Sequence, residues 1–539
     1  MKKTSIAALT AVLAVLPPAA AGAGAQRASA AEAATGTPGG LANPAGPARV
    51  RGVDLDTVTI PELQRHMERG SLTSSELTRA YLRRIEAVDP AIGAVLRVSP
   101  TALSQAAASD VRHRLGRARG PLDGIPVLLK DNVDTYDMPT TAGSLALAGT
   151  PPKKDAELVG RLRAAGAVVL GKTNLSEWAN FRAEKPTSGW SAVGGQTNNP
   201  YVLDRNPCGS SAGSAAALAA SLAQVAIGTE TDGSIVCPAG MTGVVGHKPS
   251  LGLVSGDGVV PISAEQDTAG PMARNVVDAA LTLSVLSGRD LAGGDGGAGL
   301  VDAAARPGGL RGKRIGLWRL PSLGAEVDAL MTRTAARLRA AGAEVVEVTP
   351  PHQERLAELE FPALLSEFHR DVDAYLAKRG GPQGRPRDLA GLVAFNRTHP
   401  AERTCFAGQE LFEQALAAPP TTDPGYRAMR AELKDLSRRS IDEAMAAHRL
   451  DALAAPANPP AWTTDCARGD NDVIPSSTPA AVAGYPSLSV PAGFVGELPV
   501  GLLLMAGDHE DGALLSLGAA VERRLGAWRA PRYLPTIRQ

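Results

Sequence analysis

Apolar positions in the first half of the chain follow two rhythms. After the capping box Thr73-x-x-Glu76, residues Leu77, Tyr81, Leu82 and Ile85 fall on one face of a helix. Ile125–Leu129 is a short unbroken apolar run, the pattern of a strand buried on both faces, and it ends at Lys130. Residues 157–165 predict a helix, and Val168–Leu170 a strand after Gly166. The order then recurs. The Ala-rich stretch from Ser211 to Ala223 predicts a helix, Val225–Ile227 a strand, and Gly and Ser dominate the turn that follows.

Past a Gly/Ala-rich break from Gly293 to Gly309, the pattern predicts a strand at Arg314–Leu317, a helix at Val327–Ala340 and a strand at Glu344–Val348. Residues 351–450 are richer in helix formers and read as an inserted helical cap. Asp451–Pro456 and the segments around Ser487–Val490 and Val500–Met505 read as strands returning to the same sheet. Alternation of this kind predicts an α/β protein with a mixed, mostly parallel central sheet covered by helices on both faces. The break near residue 300 fits a domain boundary or one shared sheet; the expectation is one large domain over residues 53–539.

The N-terminus has a different character. Lys2 and Lys3 precede the apolar run Ile6–Leu16, and small residues with Ala-x-Ala sites end at Ala25 or Ala30. This is the order of a cleaved export signal, and the apolar run is too short to span a bilayer. Residues 31–52 read as a flexible leader, with order starting near Val53. The expected location is extracellular or periplasmic. Lys plus Arg and Asp plus Glu are 55 each in 539 residues. No basic excess points to a polyanion, and aromatic residues at 4% offer few stacking platforms, so nucleic acid is not an expected partner. Of the four cysteines, Cys405 and Cys466 are one candidate pair in an oxidising compartment. Four buried thiols, Cys208 and Cys237 included, are the alternative. No Cys/His spacing suggests zinc.

Candidate chemistry lies in three segments: Gly124-Ile-Pro-Val-Leu-Leu-Lys130-Asp-Asn, Cys208-Gly-Ser210-Ser211-Ala-Gly213-Ser214 and Gly228-Thr-Glu-Thr-Asp-Gly-Ser234-Ile-Val-Cys-Pro238. Taken singly, each has an ordinary explanation: a solvated strand end, a helix cap, a tight turn. Together they carry a chemical logic. A serine hydroxyl attacks a carbonyl only if a base takes its proton, and lysine serves as that base only when uncharged. Burial penalises the ammonium form, and Lys130 closes an apolar strand.

In this order, with 24 residues from Ser210 to Ser234, the segments closely resemble the amidase signature family. The resemblance runs from about Leu55 to the C-terminus. It implies Ser234 as the nucleophile, Lys130 as the base, and Ser210 as the proton relay in a cis peptide. It also implies an oxyanion hole from the backbone N–H groups of Thr231, Asp232, Gly233 and Ser234. Ser211 would hydrogen-bond the catalytic residues, with plain helix capping an equal reading. The Asp232-Gly233 pair departs from the family's usual two glycines and resembles the peptide amidase branch. So do Asn174-Leu-Ser-Glu-Trp178-Ala-Asn-Phe181 and Pro460-Ala-Trp462. Trp178 and Trp462 are candidate substrate-pocket residues, with ordinary packing as the alternative. His247 reads as a packed or surface histidine.

The implied reaction converts a carboxamide to an acid and ammonia without cofactor or metal. The substrate would be a small or peptide amide, first of all a C-terminally amidated peptide. No later segment resembles a membrane span, and the expectation is a monomer with no obligate protein partner. Two other readings compete. Gly209-Ser-Ser-Ala-Gly213 fits the nucleophile elbow of an α/β-hydrolase esterase with Ser211, although the turn-like 198–207 stretch replaces the strand that elbow needs. A non-hydrolytic amidotransferase subunit shares the family fold but works with cytosolic partners and tRNA.

Overall fold

The computed structural model describes residues 46–288, 301, 304–305, 308–379, 385–405, 408–471 and 476–537. The expected export signal, the leader as far as residue 45 and most of the 293–309 break lie outside the described residues. A two-stranded pairing of Arg49–Val50 with Val53–Asp54 precedes the first helix.

Eleven strands form the main sheet. In chain order they are β1 (Val95–Val98), β2 (Pro126–Lys130), β3 (Val168–Thr173), β4 (Val225–Glu230), β5 (Val245–Lys248) and β6 (Thr268–Ala273). They continue as β7 (Arg314–Leu317), β8 (Glu344–Glu347), β9 (Ala452–Pro456), β10 (Ser487–Val495) and β11 (Leu498–Met505). Across the sheet the order is β8-β7-β9-β11-β10-β5-β6-β4-β2-β3-β1. Strands on both sides of residue 300 thus share one sheet.

The sheet is mixed, as expected, but the expectation of a mostly parallel one is too broad. Parallel pairing is confined to β3-β2-β4 and β8-β7-β9. The centre and the β1 edge are antiparallel. Parallel neighbours need a crossover of a dozen or more residues, whereas β10 and β11 are joined by residues 496–497 alone.

β2 lies between β3 and β4 and is buried at every position, which explains its unbroken apolar run. Beside it the helix Ala212–Ala219 is buried on every face, as an all-apolar helix must be. The Ala-rich pattern predicts this helix to Ala223, yet it stops at Ala219. The carbonyls just past its end are taken by guanidinium groups from distant segments. Arg84 donates to Ala220 O (2.9 Å) and Ser221 O (3.0 Å), and Arg274 donates to Ala223 O (2.7 Å). Local propensity loses here to tertiary hydrogen bonds.

The 351–450 segment contains the helices Gln353–Arg379, Leu389–Thr398, Glu410–Ala417 and Pro424–His448. Phe368 and Phe412 from this segment pack with Trp178 and Phe181. The four cysteines pair as Cys208–Cys237 and Cys405–Cys466. Among the described residues no helix is long and apolar enough to cross a membrane.

Candidate active site

The three motif segments meet at the C-terminal ends of β2 and β4. Lys130 is the last residue of β2 and is wholly buried. Its Nζ lies 2.7 Å from Ser210 Oγ, 2.9 Å from Thr229 Oγ1 and 3.2 Å from Thr229 O. Asn132 Nδ2 donates to the same Thr229 hydroxyl at 2.9 Å. No carboxylate among the described residues touches the amine. Burial pulls the Lys130 pKa down to about 7, opposed by the charges of Asp267 and Glu230. Near neutral pH the amine is therefore in large part uncharged.

The Gly209–Ser210 peptide is cis. Gly209 has no room for a side chain, because a Cβ there would collide with Ser176 Oγ. Ser176 N–H donates to Ser210 O at 3.1 Å, which anchors the other side of this loop. Ser211 precedes the helix Ala212–Ala219 but does not cap it with its side chain. Its Oγ instead donates to Thr229 O (3.1 Å) and accepts from Thr229 N–H (3.2 Å). Its own N–H donates to Ser234 O at 3.1 Å. Ser211 thus joins the Ser210 loop, the end of β4 and Ser234.

Ser234 closes the turn after β4. Gly233 has φ +75°, a left-handed conformation that suits glycine. Glu230 holds the far side of the turn, its carboxylate accepting from Ile235 N–H (2.7 Å) and Val236 N–H (3.0 Å). The N–H groups of Asp232, Gly233 and Ser234 have no hydrogen-bond partner among the described residues. The Cys208–Cys237 disulfide ties the Ser210 loop to the helix that follows Ser234.

A cavity of about 380 Å³ opens beside these residues, with Asn132, Thr229, Thr231 and Asp267 on one wall and Val254 and Ile262 among its apolar ones. Asp267 accepts from Thr231 Oγ1 at 2.5 Å, and burial pushes its carboxyl up to about 7. Among the described residues, no group of His, Cys, Asp or Glu is arranged to hold a metal ion.

A family model for amidases matches residues 76–515. The chain belongs to the amidase signature family. It is 36% identical over 508 residues to a probable amidase of Arabidopsis thaliana, covering 89% of this chain and 92% of the relative. It is 37% identical over 502 residues to a glutamyl-tRNA(Gln) amidotransferase subunit from Salinispora arenicola, covering 89% and 99%. The crystal structure of native peptide amidase from Stenotrophomonas maltophilia matches with TM-score 0.82 and 50% identity over 89% of this chain and 99% of that one. A peptide amidase in complex with the competitive inhibitor chymostatin matches with TM-score 0.83 and 51% identity, over 88% and 99%. This amidase is an amide-hydrolysing enzyme with the mixed-sheet fold of those structures.

Within the amidase, Lys130 and Ser210 are in hydrogen-bond contact, Ser211 and Ser234 are joined through the backbone, and Thr231, Asp232 and Gly233 form the intervening turn. Neither tryptophan is among the residues that line this cavity. Trp178 is 2% exposed and packs edge-on against Phe412, with ring centroids 5.7 Å apart. Its neighbour Ala179 meets the cavity instead. Trp462 packs against the main core while its carbonyl accepts from Asn206 N–H at 2.8 Å. His247 is buried against Asp511 at 3.0 Å. The Ser211 elbow lacks its strand, since residues 206–209 form none. Sequence reasoning gave no role to Asn132, Thr229 or Glu230, although all three lie inside the three motif segments. Asp267 carried no motif signal.

Proposed function

We propose that the enzyme cleaves carboxamides with Ser234 as nucleophile, Ser210 as proton relay and Lys130 as base. The single observation that supports this is a fully buried amine 2.7 Å from Ser210 Oγ, in a setting where burial lowers its pKa to about 7. Ser234 Oγ attacks the amide carbon as its proton passes to Ser210 and that of Ser210 to Lys130 Nζ. The N–H groups of the 231–234 turn receive the oxyanion; each such donor is worth ~3–4 kcal/mol of barrier. The protons return along the same path to the leaving nitrogen, and ammonia departs as the Ser234 ester forms. Water then hydrolyses the ester.

C-terminal peptide amides are the substrate class we favour, on the likeness to the peptide amidase structures and on the mostly apolar cavity. Ammonia release should be measured from a panel of peptide amides, benzamide and propionamide, alongside Ser234→Ala. Peptide amides should turn over fastest, and the variant should lose the activity with all of them. Turnover that survives in Ser234→Ala would defeat the nucleophile assignment. Because an amidotransferase component is also among the relatives, glutamine belongs in the panel; release from glutamine alone would favour that second reading.

The export signal supports a secreted enzyme, and two disulfides are at home in an oxidising compartment. N-terminal sequencing of the protein from culture medium should begin after Ala25 or Ala30. Retention of Met1 on protein found only in cytosol would sink this placement.

A further inference from the structure

The carboxyl of Asp232, in the middle of the proposed oxyanion turn, has an unusual setting. Its Oδ2 accepts from Thr478 Oγ1 at 2.5 Å, while Oδ1 is buried with no donor among the described residues. The carboxyl of Glu360, from the long helix Gln353–Arg379, reaches the same group. Glu360 is tied back to the turn as well. Its Oε1 accepts from Gln266 Nε2 (2.9 Å), whose Oε1 accepts from Arg430 Nη1 (2.7 Å). Two carboxyl groups in contact, each shielded from most of the surrounding water, resist ionising together, so such a pair keeps one proton between them.

We propose that Glu360 is a positioning residue: it shares a proton with Asp232 and so fixes the turn whose N–H groups meet the developing oxyanion. This rests on the reading of Ser234 and its turn given above. Other charges face the pair from every neighbouring element. Lys248 on β5 and Arg430 on Pro424–His448 are positive, and Glu230 at the end of β4 is negative. Burial, the largest influence on each, raises both Asp232 and Glu360, and their mutual repulsion raises Glu360 further. Loss of the shared proton at higher pH would set two anions against each other and displace the Asp232 turn from its position. A fall in kcat on the basic side of the pH profile is the result, with KM little changed because the turn's donors act mainly on the transition state.

Purified enzyme, with ammonia release from a C-terminally amidated dipeptide, tests this across pH. Glu360→Ala should lower kcat at least tenfold with KM within about twofold. Glu360→Gln, whose amide N–H donates to Asp232 without titrating, should restore most of that kcat and remove the basic limb. An unaltered basic limb in Glu360→Gln, or kcat within twofold of wild type in Glu360→Ala, would overturn the proposal. If Glu360→Ala does not fold, the Glu360→Gln profile alone decides. Ser234→Ala run in parallel separates this outcome from failure of the nucleophile assignment, since only the latter leaves Ser234→Ala active.

Discussion

The two disulfides lie in regions built on opposite principles. Cys208–Cys237 lies in a stretch where almost every residue from 206 to 250 is buried, and where polar side chains are satisfied by backbone groups of neighbouring loops. Cys405–Cys466 lies in the region of the helical segment, where many side chains are exposed and charges pair at the surface. Buried polar groups have no water to replace a lost partner, so geometry in the first region is fixed at the scale of one hydrogen bond. In the second, solvent can take over most contacts. Damage to the first should therefore appear as lost chemistry, and damage to the second as lost stability or no loss at all.

The largest effect should come from Ser234→Ala or Lys130→Ala, each reducing kcat by about 10⁴-fold while leaving a folded enzyme by circular dichroism. Next, kcat/KM should rise with pH through about 7 as Lys130 loses its proton. The same shift has a stability consequence. The folded-state pKa lies below the unfolded value of 10.5, so between about 7 and 10.5 the unfolded chain binds more protons and stability climbs with pH. Below about 7 the cost of a buried ammonium is present in full. Lys130→Met should accordingly raise Tm most at acidic pH and least near pH 10.5, and an equal gain at all pH values would contradict the burial argument.

The two disulfides offer the sharpest contrast. Removing Cys405–Cys466, which closes a span of 61 residues, should cost about 4 kcal/mol in denaturant unfolding with kcat unchanged. Removing Cys208–Cys237, with a span of 29, should cost slightly less stability, about 3.5 kcal/mol, yet lower kcat because it joins the two serine loops. If both losses scale with span alone, the comparison fails. Smaller again is Glu402→Gln at the seam between the regions. Glu402 accepts from Ser144 Oγ (3.0 Å) and Leu145 N–H (2.6 Å) and shares buried Arg182 with Glu177. Its loss should destabilise by about 3 kcal/mol, read as a lower midpoint in urea. The smallest effect belongs to Arg355→Ala: its exposed pairs with Glu358 and Glu432 should leave Tm unchanged.

Much of the site was legible because its chemistry is written locally. An apolar strand that ends in Lys130, a Gly-Ser-Ser loop and a Thr-Asp-Gly-Ser turn each encode backbone shape and reactive group together. Trp178 left two readings open for the converse reason: a large aromatic suits a substrate pocket and a core equally, and its ring contact with Phe412 comes from far along the chain. The early stop of the helix at Ala219 had no local sign, since the turn that follows is held by donors from Arg84 and Arg274. Asp267 was invisible because its importance lies in proximity to Thr231 and Lys130 alone.

By itself, then, the sequence determined an α/β chain, a strand-end lysine and two serine-bearing turns of the amidase signature type, because hydrophobic period and turn chemistry act over a few residues. Tertiary structure alone decided that burial lowers the lysine's pKa, that Cys208 meets Cys237, and that Glu360 reaches across to Asp232. Desolvation, disulfide geometry and contact between carboxyl groups all depend on distances between segments remote in the chain, and those exist only once the sheet has assembled.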